Sequence, residues 1–202
     1  MKDIIIDDLT KGYGDQTILN GLSLVIPSGQ TTFIQGKSGC GKTTLCRCIA
    51  GLESYQGHID SDQRMKVSVI FQEDRLVPSL SIYKNLWMVK PKDDHDFDQR
   101  IHDGLKVFGL VQDQHKRIDQ CSGGMARRVA ILRSLIVPFD VLIADEALKG
   151  MDGTTMDQVM AYLINITHGK TIIWVSHDPR EIHYFNDVHI IDMDKKSPSS
   201  PQ

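Results

Sequence analysis

No apolar run in this chain approaches the roughly 18 residues that a membrane-spanning helix needs. No signal peptide is expected either, since Met1-Lys2-Asp3-Ile4-Ile5-Ile6-Asp7-Asp8 holds an apolar stretch far too short for one. The chain is therefore expected to be cytoplasmic. Positive charge is not in excess: 23 Lys and Arg face 26 Asp and Glu, a net charge of −3, so no global basic field draws nucleic acid. The four cysteines lack disulfide or metal-ligand spacing. Cys46 and Cys48, two apart on an expected helix, point in different directions and read as small core residues, with a redox role as the alternative. There are no internal repeats. The remaining composition, 41% hydrophobic and 24% charged over 202 residues, suits one globular domain with a subdomain inserted, long enough to bury a core.

Against this background one stretch stands out. Gly36-Lys37-Ser38-Gly39-Cys40-Gly41-Lys42-Thr43-Thr44 fits G-x-x-x-x-G-K-[ST], a phosphate-binding loop. Its glycines let the backbone turn several N–H groups onto one anion. Lys42 can reach the outer phosphates and the Thr43 hydroxyl can ligate Mg²⁺. The context agrees, because Thr31-Thr32-Phe33-Ile34-Gln35 reads as a buried strand and Thr44 to Ala50 as a helix. The loop would then sit at a helix N-terminus, where free N–H groups and the dipole favour phosphate. A glycine-rich turn holding a lysine by chance is the alternative.

Along the chain, Ile4 to Leu9 reads as a strand and Lys11 to Asp15 as a turn. Leu22, Leu24 and Ile26 alternate as in a half-buried strand, and His58-Ile59-Asp60 is expected to return to the same small antiparallel sheet. Val67 to Phe71 is nearly all apolar, as in a sheet buried on both faces. The middle third is expected to be helical. Ser79 or Ser81 caps a short helix, and Phe97, Ile101, Leu105 and Phe108 line a second that ends at Gly109. Ser122 to Ile136 forms a third, with the charged patch Lys90 to Asp98 lying in solvent. Strands resume at Val141-Leu142-Ile143-Ala144 and at Thr171 to Ser176, with Val188 to Ile191 as an edge strand. Between them a helix carries apolar Met156, Val159, Met160, Leu163 and Ile164 and stops at Gly169.

The fold class expected is α/β, a P-loop NTPase core. It has a mostly parallel buried sheet, a small N-terminal antiparallel β-subdomain and an inserted α-helical subdomain. The domain runs over 1–192 with the insertion at about 73–138, and 193–202, rich in Ser and Pro, is expected to be disordered. Asp145 and Glu146 close an apolar strand, where such groups aim at Mg²⁺ and water across from a phosphate loop. Asp145 would hold Mg²⁺ and Glu146 would polarise the attacking water; an acidic pair at a helix N-cap is the alternative.

With these residues in place, the chain resembles the nucleotide-binding subunit of an ATP-binding cassette (ABC) transporter over residues 3 to about 192. Cys121-Ser122-Gly123-Gly124-Met125 looks like the family signature, usually written LSGGQ, and Arg127-Arg128 follow it on a helix. The resemblance implies that Gln72 senses Mg²⁺ and the γ-phosphate, that Asp152 lies across a dimer interface, and that His177 is a switch histidine. It also implies that Tyr13 stacks on adenine. Taken singly, Gln72 would be a strand-end residue, His177 a helix cap and Tyr13 a turn tyrosine. The catalytic set implied is Glu146, His177, Gln72 and Lys42, with Thr43, Gln72 and Asp145 on the metal.

By the same resemblance, Ser122, Gly123 and Gly124 meet the γ-phosphate held by an opposite subunit, so ATP is sandwiched in a homodimer or a heterodimer with a second cassette. The partners implied are integral-membrane permease subunits and an extracytoplasmic solute-binding protein, with no nucleic acid. The chain would then lie peripherally on the inner face of the cell membrane and power import, nearest to nitrate-, sulfonate- and taurine-type systems. Other readings are a lipoprotein-release or efflux ATPase, a soluble ABC ATPase of the DNA-repair or translation class, and a weakly hydrolysing regulatory ATP-binding protein. Cys121 and Met125 depart from the signature, and Ala147 and Lys149-Gly150 from the usual run to Asp152. Leu76, Val77, Pro78, Leu80 and Tyr83 form an apolar cluster expected to dock a permease helix.

Overall fold

The computed structural model describes residues 1–194. The described residues divide into two units, one of 1–69, 140–146 and 169–194 and another of 70–139 and 147–168.

The first unit begins with strands β1 (Ile4–Tyr13) and β2 (Gln16–Ile26), antiparallel and joined at the two-residue turn Gly14-Asp15. β1 runs four residues beyond the Ile4–Leu9 strand expected. Register shifts after Ile6 and Leu9, with Asp8 at φ 50°, let the strand bend and stay paired as far as Tyr13↔Gln16. Tyr13 therefore ends a strand and is not in the turn. Strand β4 (Gln56–Asp60) pairs antiparallel with β1, as expected for His58 to Asp60. The approach is so close that a Cβ on Gly57 would lie 2.2 Å from the Asp8 carbonyl oxygen, at φ +94°, so only glycine fits.

The second sheet of this unit has the order β5-β6-β7-β3-β8, from β3 (Thr31–Gln35), β5 (Val67–Ile70), β6 (Val141–Asp145), β7 (Thr171–Val175) and β8 (Val188–Asp192). β3 pairs parallel with both β7 and β8, and β6 with β7. β6 and β7 are buried at every residue, as near-continuous apolar strands in an interior position should be. β8 is an edge strand, as expected. β5 is an edge too, so Val67 and Val69 are only half-buried where burial on both faces was expected.

Helix α1 (Lys42–Ile49) follows β3 and contacts β2, β6 and β7. Its Leu45, Cys46, Cys48 and Ile49 share one core with Ile4, Ile6, Leu9 and Ile26 of the small sheet and Ile143, Ile173 and Val175 of the large one. Cys46 and Cys48 are core residues, each 2% exposed, and burial pushes both thiols up.

The second unit is helical: α2 (Ile82–Trp87), α3 (Phe97–Val107), α4 (Gly123–Leu135) and α5 (Gly153–Ile166). Ser81 caps α2 by accepting from the Lys84 amide, and Gly109 follows α3 at φ 62°. Phe97, Ile101, Leu105 and Phe108 are all buried, which the four-four-three spacing required. Phe108 meets Tyr162 of α5 edge to face, with ring centroids 5.6 Å apart. α5 ends at Ile166, three residues before Gly169, with Thr167 as its C-cap and the Thr167 hydroxyl donating back to the Leu163 carbonyl. Of its expected apolar face, Val159, Met160 and Leu163 are buried whereas Ile164 is exposed. Among the described residues no helix is long and apolar enough to cross a membrane.

Candidate functional site

The nominated residues divide between the units. Tyr13, the loop Gly36 to Thr44, Asp145, Glu146 and His177 belong to the first, and Gln72, Ser122, Gly123, Gly124 and Asp152 to the second.

The loop joins β3 to α1, as the flanking residues implied. Gly36, Gly39 and Gly41 all have positive φ, at 150°, 81° and 102°. At φ 102° Gly41 holds a backbone that other residues adopt only under strain, and a Cβ there would also lie 2.5 Å from a Leu19 methyl. Gly41 is also the N-cap of α1 and has no side chain to cap it, so the helix's first amides are left for an anion. Lys42 is 6% exposed and its ammonium donates to the Gly36 and Lys37 carbonyls, both at 2.8 Å. Its Nζ lies 3.8 Å from Cys40 Sγ. The ammonium thus curls over the loop, and Ser38 and Gly39 are exposed.

Asp145 ends β6 with 5% exposure. Burial pushes its carboxyl above the usual range, the Thr43 hydroxyl bonding to it works the other way, and the neighbouring Glu146 raises it further. A carboxylate pressed upward by burial and by a second carboxylate, and bonded to a hydroxyl, is a donor set that a hard cation would relieve. Among the described residues no three His, Cys, Asp or Glu side chains cluster as a metal site, so such a cation would need phosphate oxygens as well.

Glu146 sits at φ 49°, in the left-handed region, while its amide donates to the Val175 carbonyl at 2.9 Å. The backbone is strained but anchored. His177, just past β7, places Nε2 3.0 Å from Glu146 Oε1, the geometry of an imidazole N–H donating to a carboxylate. The turn after His177 is itself fixed: Arg180 bonds to Asp178 and holds that carboxyl down to about 2.

Tyr13 is 44% exposed. Lys11 Nζ lies 4.9 Å from its ring centroid and 3.1 Å from Glu53 Oε2, and hydrogen bonds from Lys11 and then Tyr13 lower the Glu53 carboxyl. A nearby cleft of about 440 Å³, lined by Thr10, Lys11, Gly12, Thr17, Ser54, Tyr55 and Gln56, includes neither Tyr13 nor the phosphate loop.

In the second unit Ser122 is the N-cap of α4, its hydroxyl oxygen accepting from the Met125 amide at 3.2 Å. The cap leaves the hydroxyl hydrogen to donate outward. Gly123 and Gly124 are exposed, and a Cβ on either would meet nothing within 4 Å. Asp152 caps α5 through the Thr155 amide at 3.0 Å, a bond that lowers its carboxyl. Gln72 is exposed just beyond β5.

The family model described as ABC transporter matches residues 19–149. The chain belongs to the ABC transporter family. This ABC chain is 35% identical over 192 residues to an aliphatic sulfonates import ATP-binding protein of Agrobacterium fabrum, covering 91% of itself and 73% of that protein. It is 32% identical over 204 residues to an Fe(3+) ions import ATP-binding protein of Photobacterium profundum, over 93% of itself but only 58% of that relative's length. In fold it matches a dimeric post-hydrolysis ATP-binding cassette bound to ADP and Pi, with a TM-score of 0.81, 24% identity and 94% of each chain covered. The α/β architecture expected is therefore that of an ABC cassette. Tyr13, Asp152 and His177 lie outside the span matched by the family model.

Several contacts of the ABC chain were invisible in its sequence. The Asp194 carboxylate accepts from the Lys37 amide at 3.0 and 3.1 Å, and the Met193 amide donates to the Gln35 carbonyl, so both brace the phosphate loop. The rest of the tail expected to be disordered, 195–202, lies outside the described residues. Glu181, 5% exposed, accepts from the Trp174 indole at 2.7 Å and tethers the turn behind His177. Arg127, named in the sequence only as following the signature, is buried and bonded on several sides. The apolar cluster is also less open than expected. Leu76, Val77, Leu80 and Tyr83 are half-buried and only Pro78 is exposed.

Proposed function

We propose that this ABC chain is the ATP-hydrolysing subunit of an import system, and that residues 1–192 act as one ATPase domain. The observation that carries the reading is the Glu146–His177 contact at 3.0 Å, at the end of the strand whose Asp145 is bonded to Thr43 of the phosphate loop. The importers of sulfonates and iron among its relatives support the direction of transport.

In this reading the amides of Gly39 to Thr44 and the Lys42 ammonium cradle the ATP phosphates, and Tyr13 presents its exposed ring to the adenine. Lys37, Ser38 and Cys40 complete the loop around them. Thr43, Asp145 and Gln72 would hold Mg²⁺, which when bound neutralises developing phosphate charge. Glu146 orients the attacking water and accepts its hydrogen bond, while His177 holds Glu146 in its strained backbone position. Ser122, Gly123 and Gly124 aim donors at the γ-phosphate of a second copy, or of a second cassette, and Asp152 faces across that interface. ATP then closes the dimer and hydrolysis loosens it. Permease subunits carry the motion into the membrane, with a solute-binding protein outside, so the chain would work at the inner membrane face.

The test is Glu146→Gln, which keeps the shape and removes the negative carboxylate. With ATP and Mg²⁺ at high protein concentration, size exclusion should show a locked homodimer, and turnover should fall by about 10²-fold or more. A monomer with wild-type turnover would refute both the role of Glu146 and the sandwich. The membrane subunit that co-purifies with the chain separates import from lipoprotein release or efflux.

A further inference from the structure

Four charged side chains are buried among the described residues: Lys42, Arg127, Asp145 and Glu181. The proposed chemistry uses Lys42 and Asp145. Glu181 accepts from Trp174, seven residues before it, and ties its turn only to the neighbouring strand β7. Arg127 alone among the four reaches from its helix to two distant stretches of chain.

Arg127 sits on α4, five residues past Ser122, with 7% exposure. Its Nε donates to the Ala147 carbonyl at 2.8 Å. Nη1 donates to the Phe71 carbonyl at 2.7 Å and the Gln72 carbonyl at 3.3 Å, and pairs with Asp74 Oδ1 at 3.1 Å. These acceptors surround Gln72 on one side and directly follow Glu146 on the other. A buried cation is poor value as a stabiliser, because an apolar side chain of similar volume usually holds a fold as well. What the guanidinium supplies is direction. Its planar fork fixes three carbonyls at set angles, whereas an aliphatic side chain holds none of them and a single ammonium only some.

We propose that Arg127 is a positioning residue that ties the signature helix to the Gln72 segment and to the residue after Glu146, so that these three parts move as one. A shift of the Gln72 backbone is passed through the guanidinium to α4, and so to the Ser122, Gly123 and Gly124 donors at its start. The role rests on the reading above, in which Gln72 and the signature both meet nucleotide phosphates. It assigns Arg127 no contact with the nucleotide.

The experiment uses Arg127→Met and Arg127→Lys in the full chain, each alone and in the Glu146→Gln background. Fluorescent mant-ATP reports affinity, phosphate release reports kcat and KM, size exclusion reports ATP-driven dimerisation, and melting reports the fold. Arg127→Met should leave mant-ATP affinity within about twofold, lower kcat by about tenfold with KM little changed, and raise the ATP needed for dimerisation by about tenfold, within the usual range of coupling between sites. Arg127→Lys should recover part of both losses. Unchanged kcat and dimerisation in Arg127→Met would refute the role. So would loss of mant-ATP affinity, kcat and melting temperature in step in both variants, which marks a structural residue. If Arg127→Met does not fold, Arg127→Lys is judged by the same split between kcat and nucleotide affinity. A parent chain that neither turns over nor dimerises with ATP would refute the ATPase reading itself and this role with it.

Discussion

Asn85 is 0% exposed and holds together the segment that leads from Gln72 into α2. Its Oδ1 accepts from the Val77 amide at 2.8 Å, and its Nδ2 lies 3.1, 3.3 and 3.0 Å from the Val77, Leu80 and Ser81 carbonyls. The cost of removing it comes from one of these groups. The three carbonyls keep backbone donors, from Leu80 N, Ile118 N and Asn85 N respectively, whereas the Val77 amide loses this acceptor. Leaving a buried donor unsatisfied costs about 1–3 kcal/mol. At about 2–4 °C per kcal/mol for a chain of this size, Asn85→Ala should lower Tm by roughly 2–12 °C.

Asn85→Asp separates the donor from the acceptors. It keeps an oxygen for Val77 N but sets a second oxygen against the three carbonyls, so burial and these dipoles raise the folded pKa of the new carboxyl above its unfolded value of about 4. Its stability should be greatest below that unfolded value and fall as pH rises through the folded one. Asn85→Ala should show no such added slope. Calorimetric melts at pH 4.5 and pH 7.5 decide the matter. An Asn85→Ala protein within about 0.5 kcal/mol of wild type would mean that water reaches the half-buried Val77 amide, and the accounting would be wrong. An Asn85→Asp protein more stable at the higher pH would refute the linkage argument.

Lys42→Ala should weaken ATP binding by about tenfold or more, the worth of a charge-assisted hydrogen bond to phosphate. Unchanged affinity by calorimetry in Mg²⁺ buffer would leave Lys42 a loop-bracing residue on the Gly36 and Lys37 carbonyls. Tyr13→Ala should cost about 1–3 kcal/mol of affinity, for ATP and GTP alike, if the ring is a stacking platform. A loss below twofold, read by the same calorimetry, would assign Tyr13 to packing with Lys11 and Glu53.

The fold was legible wherever burial repeats with a period. The spacing of Phe97, Ile101, Leu105 and Phe108 marked α3, and the apolar run Val141 to Ala144 marked an interior strand, because each side chain faces the core directly. Val67 and Val69 misled because an apolar run reports tolerance of burial, not position in a sheet, and β5 lies at an edge. The bulge that carries β1 on to Tyr13 depends on Asp8 adopting a conformation no pattern announces. The candidate site divides likewise. The phosphate loop and Asp145-Glu146 are contiguous and could be read off. Arg127 to Phe71, Glu181 to Trp174 and Asp194 to Lys37 are bonds between separated residues, and two of them end on main-chain atoms that carry no residue identity.

The left-handed backbone at Glu146 has a consequence for anyone breeding this chain in the laboratory. A residue with a Cβ is held there at a cost of about 1–2 kcal/mol, from which glycine is exempt. Glu146→Gly should therefore melt later than Glu146→Ala, which loses the same His177 contact and keeps the strain. Among variants at this position, a library sorted only for survival of heating would favour glycine, without the group assigned to the attacking water. Each round of sorting must therefore also demand phosphate release.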